Sequence, residues 1–376
     1  MTIASADIVV VANRNVPDDE LKLIVNGSAY EGWTDVQVTL LAEGFPPSYA
    51  VRGTAPPDAD LPFGEGVDCV VKLGDDTVIT GYVDRIRDYG DATSHTIEVL
   101  GRGKTQDLVD CGAEWDSHQM IGGNAFIIAQ RLCKPYGIEV VLVNGADPGP
   151  VIPEFLLNYG ESPAEIIQRV ARNAGLLAYE DHMGRLALAA AGTNEAASGI
   201  LYGSNVEDWH VERSMDQRYS DYVVAWCSTD SMGSLGEQGG TPGSDFYSRV
   251  KDPIVPRHRL KYLVMDYSAQ NPEDFALKRA QWEMSRRAGR SFIVSATIDS
   301  WRDDARMLWG PNTLVPVDMP AARGGRKLII SQITFKRDGE RGTTAEVTVM
   351  PKGAFTIEPI TLVPVNTMAL KEVPQQ

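Results

Sequence analysis

The chain has 376 residues, with 35 basic and 51 acidic side chains and a formal net charge of −16. That charge opposes tight nucleic-acid binding, which needs Lys and Arg to displace counterions from phosphates. It is compatible with plain solubilising surface charge, or with a carboxylate-lined lumen through which DNA slides without sticking.

The length allows two to four domains and a core that needs no disulfides. Cys69, Cys111, Cys133 and Cys227 form no CxxC pair. That spacing argues against a zinc site and reads as small buried hydrophobes in a reducing cytoplasm. No apolar run approaches the roughly 20 residues that span a membrane, so membrane insertion is not expected. The opening MTIASADIVVVANRN lacks a basic segment before its apolar stretch, so it is a poor signal peptide, and VVVA reads as a strand.

In chain order, residues 1–107 read as a first tube-like β-barrel. Its strands are expected at Leu21–Val25, Thr34–Leu41, Val67–Leu73, Val78–Tyr89 and Ser94–Leu100. Asn26-Gly27 and Asp75-Asp76 suit hairpin corners. Pro46-Pro47 and Pro56-Pro57 bracket a segment expected to resist regular structure.

Residues 108–200 read as small α/β modules. GNAFIIAQRLCKPYG predicts a helix with Phe126, Ile127 and Leu132 inward, stopped by Pro135 and Gly137 and followed by the strand IEVVLV. SPAE predicts a second helix, with Ser162 as cap, Pro163 in the first turn and Glu165 closing a capping box. Ile166, Ile167, Val170, Ala171 and Ala174 form its apolar face, and Gly175 ends it. Leu176–Tyr179 and Arg185–Ala190 predict a hairpin around Asp181–Gly184.

Residues 201–355 read as a second tube-like β-barrel with a helix. Strands are expected at Val206–Arg213, Tyr222–Cys227 and Phe292–Ile298, with a helix from Pro272 to about Ala288. Residues 230–245 are almost all Gly, Ser, Thr, Glu and Gln and read as a mobile loop. Residues 356–376 read as an extended C-terminal arm. The fold class is therefore mainly β with α+β modules.

The run TVITGYVDRIRDYGDATSHTIEVLGRG at Thr77–Gly103 returns as KLIISQITFKRDGERGTTAEVTVMPKG at Lys327–Gly353, 250 positions later. Ile79 matches Ile329, Val83 matches Ile333, Arg87 matches Arg337 and Asp88 matches Asp338, and the match continues without a gap. Thr93 meets Thr343, Ile97 meets Val347, Val99 meets Val349 and Gly103 meets Gly353. Two copies of one β unit suggest a protein built for geometry, because duplication doubles the symmetry of any ring the chain forms.

Catalytic patterns are not found. GRGKT at Gly101–Thr105 lacks the leading glycine of a phosphate-binding loop, which would stand at Glu98, and Gln106 replaces the third glycine of a dinucleotide fingerprint. His95, His118, His182, His210 and His258 show no metal spacing, and His182, near Glu180 and Asp181, falls in an expected turn. No GxSxG elbow is present, and Asp75-Asp76 and Asp303-Asp304 lie in turns. Trp301 and Trp309 read as sealing the second β unit, with a stacking surface as the other reading. No catalytic, cofactor-binding or metal residue is assigned, and no cofactor is expected.

The strings GYVDRIRDYGDATSHTIEVLGRGKTQDLVDC at Gly81–Cys111, SWRDDARMLWGPNTLVPVDMP followed by KLIISQITFKRDG, and LKLIVNGSAYEGWTDVQVTLLAE near the start resemble the baseplate hub proteins of contractile-tailed phages. The closest resemblance is to the Mu-like tail protein P family, in order and spacing from about Leu21 to Phe355. The proline-rich stretch from Pro47 to Pro62 and the C-terminal arm carry no family signature.

The resemblance implies a homotrimeric hub whose two barrels per chain make a pseudo-sixfold ring, a symmetry adaptor between a hexameric tail tube and a trimeric central spike. Val83, Ile97, Val99, Ile333, Val347 and Val349 would lie on the barrel strands. It also implies contacts with the tape-measure and surrounding baseplate proteins, and DNA only in transit during genome ejection. The protein would sit in the virion after assembly in the host cytoplasm, with no enzyme activity. A tail-tip peptidoglycan hydrolase using residues 108–200 is the alternative. A contractile secretion machine is a third reading, which the lack of a fused β-helix spike disfavours.

Overall fold

The computed structural model describes residues 19–56, 61–91, 94–115, 119–157, 160–226, 246–265 and 272–355. The strand expected at VVVA, the loop 230–245 and the arm 356–376 lie outside the described residues.

The first β unit consists of β1 (Leu21–Val25), β2 (Ser28–Tyr30), β3 (Asp35–Leu41), β4 (Ser48–Thr54), β5 (Asp68–Leu73), β6 (Asp76–Gly90) and β7 (His95–Gly103). Period-two burial fits β1 and β5 to a half-buried sheet: Leu21, Leu23 and Val25 point inward, as do Cys69, Val71 and Leu73. Asn26 and Gly27 both have positive φ, 51° and 78°, as a two-residue hairpin turn requires. The next corner is Gly74-Asp75, one residue earlier than expected, because Leu73 pairs with Asp76.

The segment between the prolines is ordered, contrary to expectation. SYAVRGT forms β4, paired with β3 on one side and β7 on the other. The prolines fall outside those seven residues, so no ladder hydrogen bond is lost. Tyr49 and Val51, 3% and 1% exposed, carry the alternation that specifies the strand.

The middle module holds α1 (Gln106–Asp110), β8 (Gln119–Gly123), α2 (Ala125–Cys133), β9 (Val140–Leu142), β10 (Ile152–Leu156), α3 (Pro163–Ala174), β11 (Leu177–Glu180) and β12 (Leu186–Ala189). Asn124 caps α2 by accepting from the Ile127 amide at 3.0 Å. The inward face is Ala125, Ile128, Ala129, Leu132 and Cys133. Ile127 is 43% exposed, a correction: the 125/128/129/132 spacing defines the stripe, and Ile127 lies about 100° off it. The capping box at Ser162 and Glu165 is present, and Gly175 closes α3 with a left-handed φ of 73°. Ile166, Ile167, Val170 and Ala171 are buried against α2 and the β11-β12-β9 sheet.

The remaining elements are β13 (Asn194–Glu195), β14 (Ile200–Leu201), β15 (Val206–Arg213), β16 (Asp221–Trp226), β17 (Phe246–Lys251), β18 (Leu260–Met265), α4 (Pro272–Arg290), β19 (Phe292–Ile298), β20 (Thr313–Met319), β21 (Ala322–Asp338) and β22 (Gly342–Met350). β17, β16 and β18 make a separate small sheet whose Tyr222 and Val224 pack with Ala276 and Ala280 of α4.

The second β unit is β15-β19-β22-β21, with β20 on the other side of β21. Two barrels were expected, but the pairing is one path: β21 pairs with β3 and joins both units into a single sheet over one shared core. Closure of either unit is not among the pairings of the described residues; in the first unit β21 occupies the outer edge of β3.

The repeat is visible as the β6-β7 and β21-β22 hairpins, but not in the gapless register. The bulge of the first hairpin falls at Asp84 and that of the second at Ser331, 247 positions apart rather than 250. A β-bulge re-aims every residue beyond it, so the bulges define the equivalent positions better than the letter match.

Candidate functional site

The residues first considered for catalysis are scattered. His95 lies between the Pro56 carbonyl at 2.9 Å and Asp88 at 3.2 Å. His182 is an exposed turn residue whose carbonyl accepts from the Thr80 hydroxyl at 2.8 Å. His210 lies exposed on β15, and His258 is 3.5 Å from Asp221. His118 lies outside the described residues. Among the described residues no group of three or more His, Cys, Asp or Glu side chains could hold a metal ion.

Cys69 and Cys133 are buried, and burial pushes their thiols up to about 11 and about 12. Neither is therefore a thiolate nucleophile near neutral pH. Cys111 is exposed, unlike the buried role expected of it. Asp76 takes an ion pair from Arg302 at 2.7 Å, and Asp303 caps its own turn through the Ala305 and Met307 amides.

Trp301 and Trp309 are core residues, 0% and 3% exposed, which leaves no face for stacking a ligand. The Trp301 indole N–H donates to the carbonyls of Lys336 and Thr344 at 3.0 and 2.9 Å, sealing the second unit beside Phe335.

The GRGKT loop has an internal occupant. The end of β7 and the start of α1 present the amides of Lys104 and Thr105, and the Thr105 hydroxyl, to the Glu180 carboxylate at the end of β11. This is the backbone nest that elsewhere receives a phosphate, here filled by the chain's own carboxyl. A Cβ at position 103 would meet the Glu180 carboxylate, so any larger residue there must push that carboxylate aside. Burial raises the Glu180 carboxyl to about 7, against the lowering effect of those donors. The contact locks the middle module to the first β unit. Nothing near GRGKT announces it, since Glu180 stands 75 residues from Thr105.

Ion pairs bind the other units together. Glu43, just beyond β3, receives Arg286 and Arg290 of α4, each at 2.6 Å. Arg102 on β7 reaches Asp84 at 2.5 Å and Asp110 of α1 at 2.7 Å. Arg218 and Asp252 form a buried pair at 2.6 Å under the small sheet. These contacts hold geometry; the Glu43 and Arg102 groups also line open surface clefts, where each carboxylate is already bonded to its arginine.

What remains exposed in an organised way is sheet edge. In the seam between the units, residues 36–41 of β3 pair with 332–337 of β21, with Phe335 and Val38 both buried and Thr39 bonded to Thr334 at 3.0 Å. Apart from a single bridge of Val206 to Tyr202, β15 pairs with β19 alone, and residues 85–90 of β6 pair with β7 alone, among the described residues. Unpaired strand edges are templates for another chain. The arrangement suits recognition by backbone pairing rather than catalysis.

Comparison with known proteins agrees with this arrangement. Residues 20–103 match a model of the Mu phage baseplate assembly protein GpP-like N-terminal domain. Residues 105–190 match the second domain of gp44-like baseplate hub proteins, and residues 273–358 the fourth domain of the Mu phage baseplate assembly protein GpP. The chain is 29% identical to the baseplate hub protein gp44 of Escherichia phage Mu over 346 residues, 89% of this chain and 88% of gp44. The 43 kDa tail protein of prophage MuSo2 from Shewanella oneidensis superposes with a TM-score of 0.79 at 30% identity, covering 90% of this chain and 100% of that one. A tail protein from Neisseria meningitidis MC58 shares the fold, with a TM-score of 0.75 at 20% identity over 92% of this chain and 99% of that one.

Proposed function

Because this chain belongs to the Mu-like phage baseplate hub family, we propose that it forms the central ring of a contractile-tail baseplate, joining a hexameric tail tube to a trimeric spike. It is a tail structural protein and not an enzyme. The observation that carries the reading is the duplicated β unit: β3-β4-β7-β6-β5 and β15-β19-β22-β21-β20 have the same strand order within one sheet.

Three chains then supply six similar units, enough to meet a six-subunit tube on one face while keeping threefold symmetry for a spike on the other. A head-to-tail interface that closes on itself produces such a ring. The middle module and the α4 sheet sit outside the repeated strands, where they are free to contact surrounding baseplate and tape-measure proteins. The surplus of acidic side chains lets DNA pass the lumen without sticking, since phosphates find few cations to displace their counterions. No helix of the described residues is long and apolar enough to cross a membrane.

The experiment is reconstitution with the tail tube protein of the same phage, imaged in negative stain. Rings capping one end of stacked tube discs are expected. A protein that leaves tube ends bare, and instead gives a lytic band on a peptidoglycan gel that a 108–200 deletion abolishes, would support the hydrolase alternative.

A further inference from the structure

Glu43 does not use up the arginines around it. A cleft of about 230 Å³ opens where the segment after β3, the end of α3 and the last turns of α4 meet. Glu43 lines it together with Arg172 of α3 and with Arg286 and Arg290 of α4. The other lining side chains, Gln168, Ala171, Leu176 and Ala178, bring no charge. Three guanidiniums against one carboxylate leave two positive charges unbalanced, in a chain whose net charge is −16.

The hydrogen bonds also leave donors over. Glu43 accepts one N–H from Arg286 and one from Arg290, each at 2.6 Å, and Arg286 gives a second to the Ala354 carbonyl at 3.2 Å. Arg172 donates only through Nε, to the Gln168 carbonyl at 3.1 Å. Both Nη groups of Arg172, and Nε and Nη1 of Arg290, have no partner among the described residues. Arg290 registers the surplus charge. Partial burial pushes its guanidinium below the usual arginine range, and the neighbouring Arg286 and Arg172 push the same way against Glu43.

We propose that this cleft binds a small tetrahedral dianion of the phosphate class, seated between Arg172 and Arg290 while Glu43 keeps its two bonds. The planar fork of a guanidinium matches a phosphate with two parallel N–H bonds, which a chloride ion cannot accept in the same way. A phosphate group carries about −1.5 to −2 at pH 7, close to the surplus of the cleft. A single carboxylate would leave one charge over. Arg172 belongs to the middle module and Arg290 to the helix before β19. The ion is therefore a second fastening between those parts, beside the one that Glu43 makes from the first β unit. This site is independent of the ring reading.

The test is thermal melting of the full chain at pH 7.5, with sodium phosphate titrated against sodium chloride at equal ionic strength. Phosphate should raise the midpoint along a saturating curve in the low millimolar range, and isothermal titration calorimetry should give one site per chain. General salting-out also stabilises, but it keeps rising with concentration and ignores single side chains. Arg172→Gln with Arg290→Gln should weaken phosphate binding at least tenfold, and Arg172→Gln alone should weaken it less. Glu43→Gln should tighten it several-fold, because the arginines then face no carboxylate; a merely destabilised fold would not bind more tightly. Glycerol 3-phosphate is the second probe. Binding of both probes assigns the cleft to a phosphoryl group carried on a larger molecule, and binding of inorganic phosphate alone assigns it to the free ion. Equal responses to phosphate and chloride, or a phosphate response that survives in the double variant, would overturn the proposal.

Discussion

Glu180 is the group through which pH should reach this fold. Its carboxyl is 8% exposed and held by three donors from the GRGKT loop, yet burial raises it from 4.5 to about 7. Between those values the folded chain keeps a proton that the unfolded chain has released. The folded state then binds more protons, and its stability falls as pH rises. The contribution is fully present below the unfolded value and is lost as pH passes through about 7. Each tenfold difference in proton affinity between the folded and unfolded chain is worth about 1.4 kcal/mol, so the loss amounts to about 3 kcal/mol. Glu180→Gln has no proton to lose, at the cost of mismatched hydrogen bonds to the Lys104 and Thr105 amides. Urea unfolding of both proteins at pH 5, 6, 7 and 8 is the assay. The wild type should lose about 2.5 kcal/mol more than the variant between pH 5 and pH 8, the rest of the loss falling below pH 5. Parallel pH profiles would refute the reasoning and return Glu180 to an ordinary ionised carboxylate.

Two further substitutions test the packing. Phe335→Ala empties a fully buried position at the seam between the β units, and should cost about 3–5 kcal/mol in urea unfolding. Gly101→Ala drives a Cβ into the Tyr82 carbonyl and the Tyr49 ring, whereas Gly112→Ala meets nothing within 4 Å. The first should destabilise by about 3 kcal/mol or more and the second should be near neutral, as read by thermal melting.

Features carried by neighbouring residues were legible in the sequence. The capping box at Ser162, the left-handed cap at Gly175, the Asn26-Gly27 turn and the strands at Leu21, Val206 and Phe292 depend on spacings of a few residues. Strand β4 was obscured because prolines flank it, although the alternation of Tyr49 and Val51 was there to be read. The repeat was legible as two hairpins but not in its true register, since a bulge shifts pairing without leaving a mark in the letters. The role of GRGKT was hidden because its partner comes from another module. The open edges of β15 and β6 were hidden too, because an edge is defined by the strand that fails to arrive, and β21 reaches β3 across nearly the whole chain.

The central claim is that two β units per chain make a six-unit ring from three chains. Light scattering of the purified protein, with averaging of stained particles from the same sample, tests it most directly. The account predicts a mass three times the 41.0 kDa chain and rings with six similar lobes. A two-chain particle, or a three-chain particle without a central opening, would contradict it.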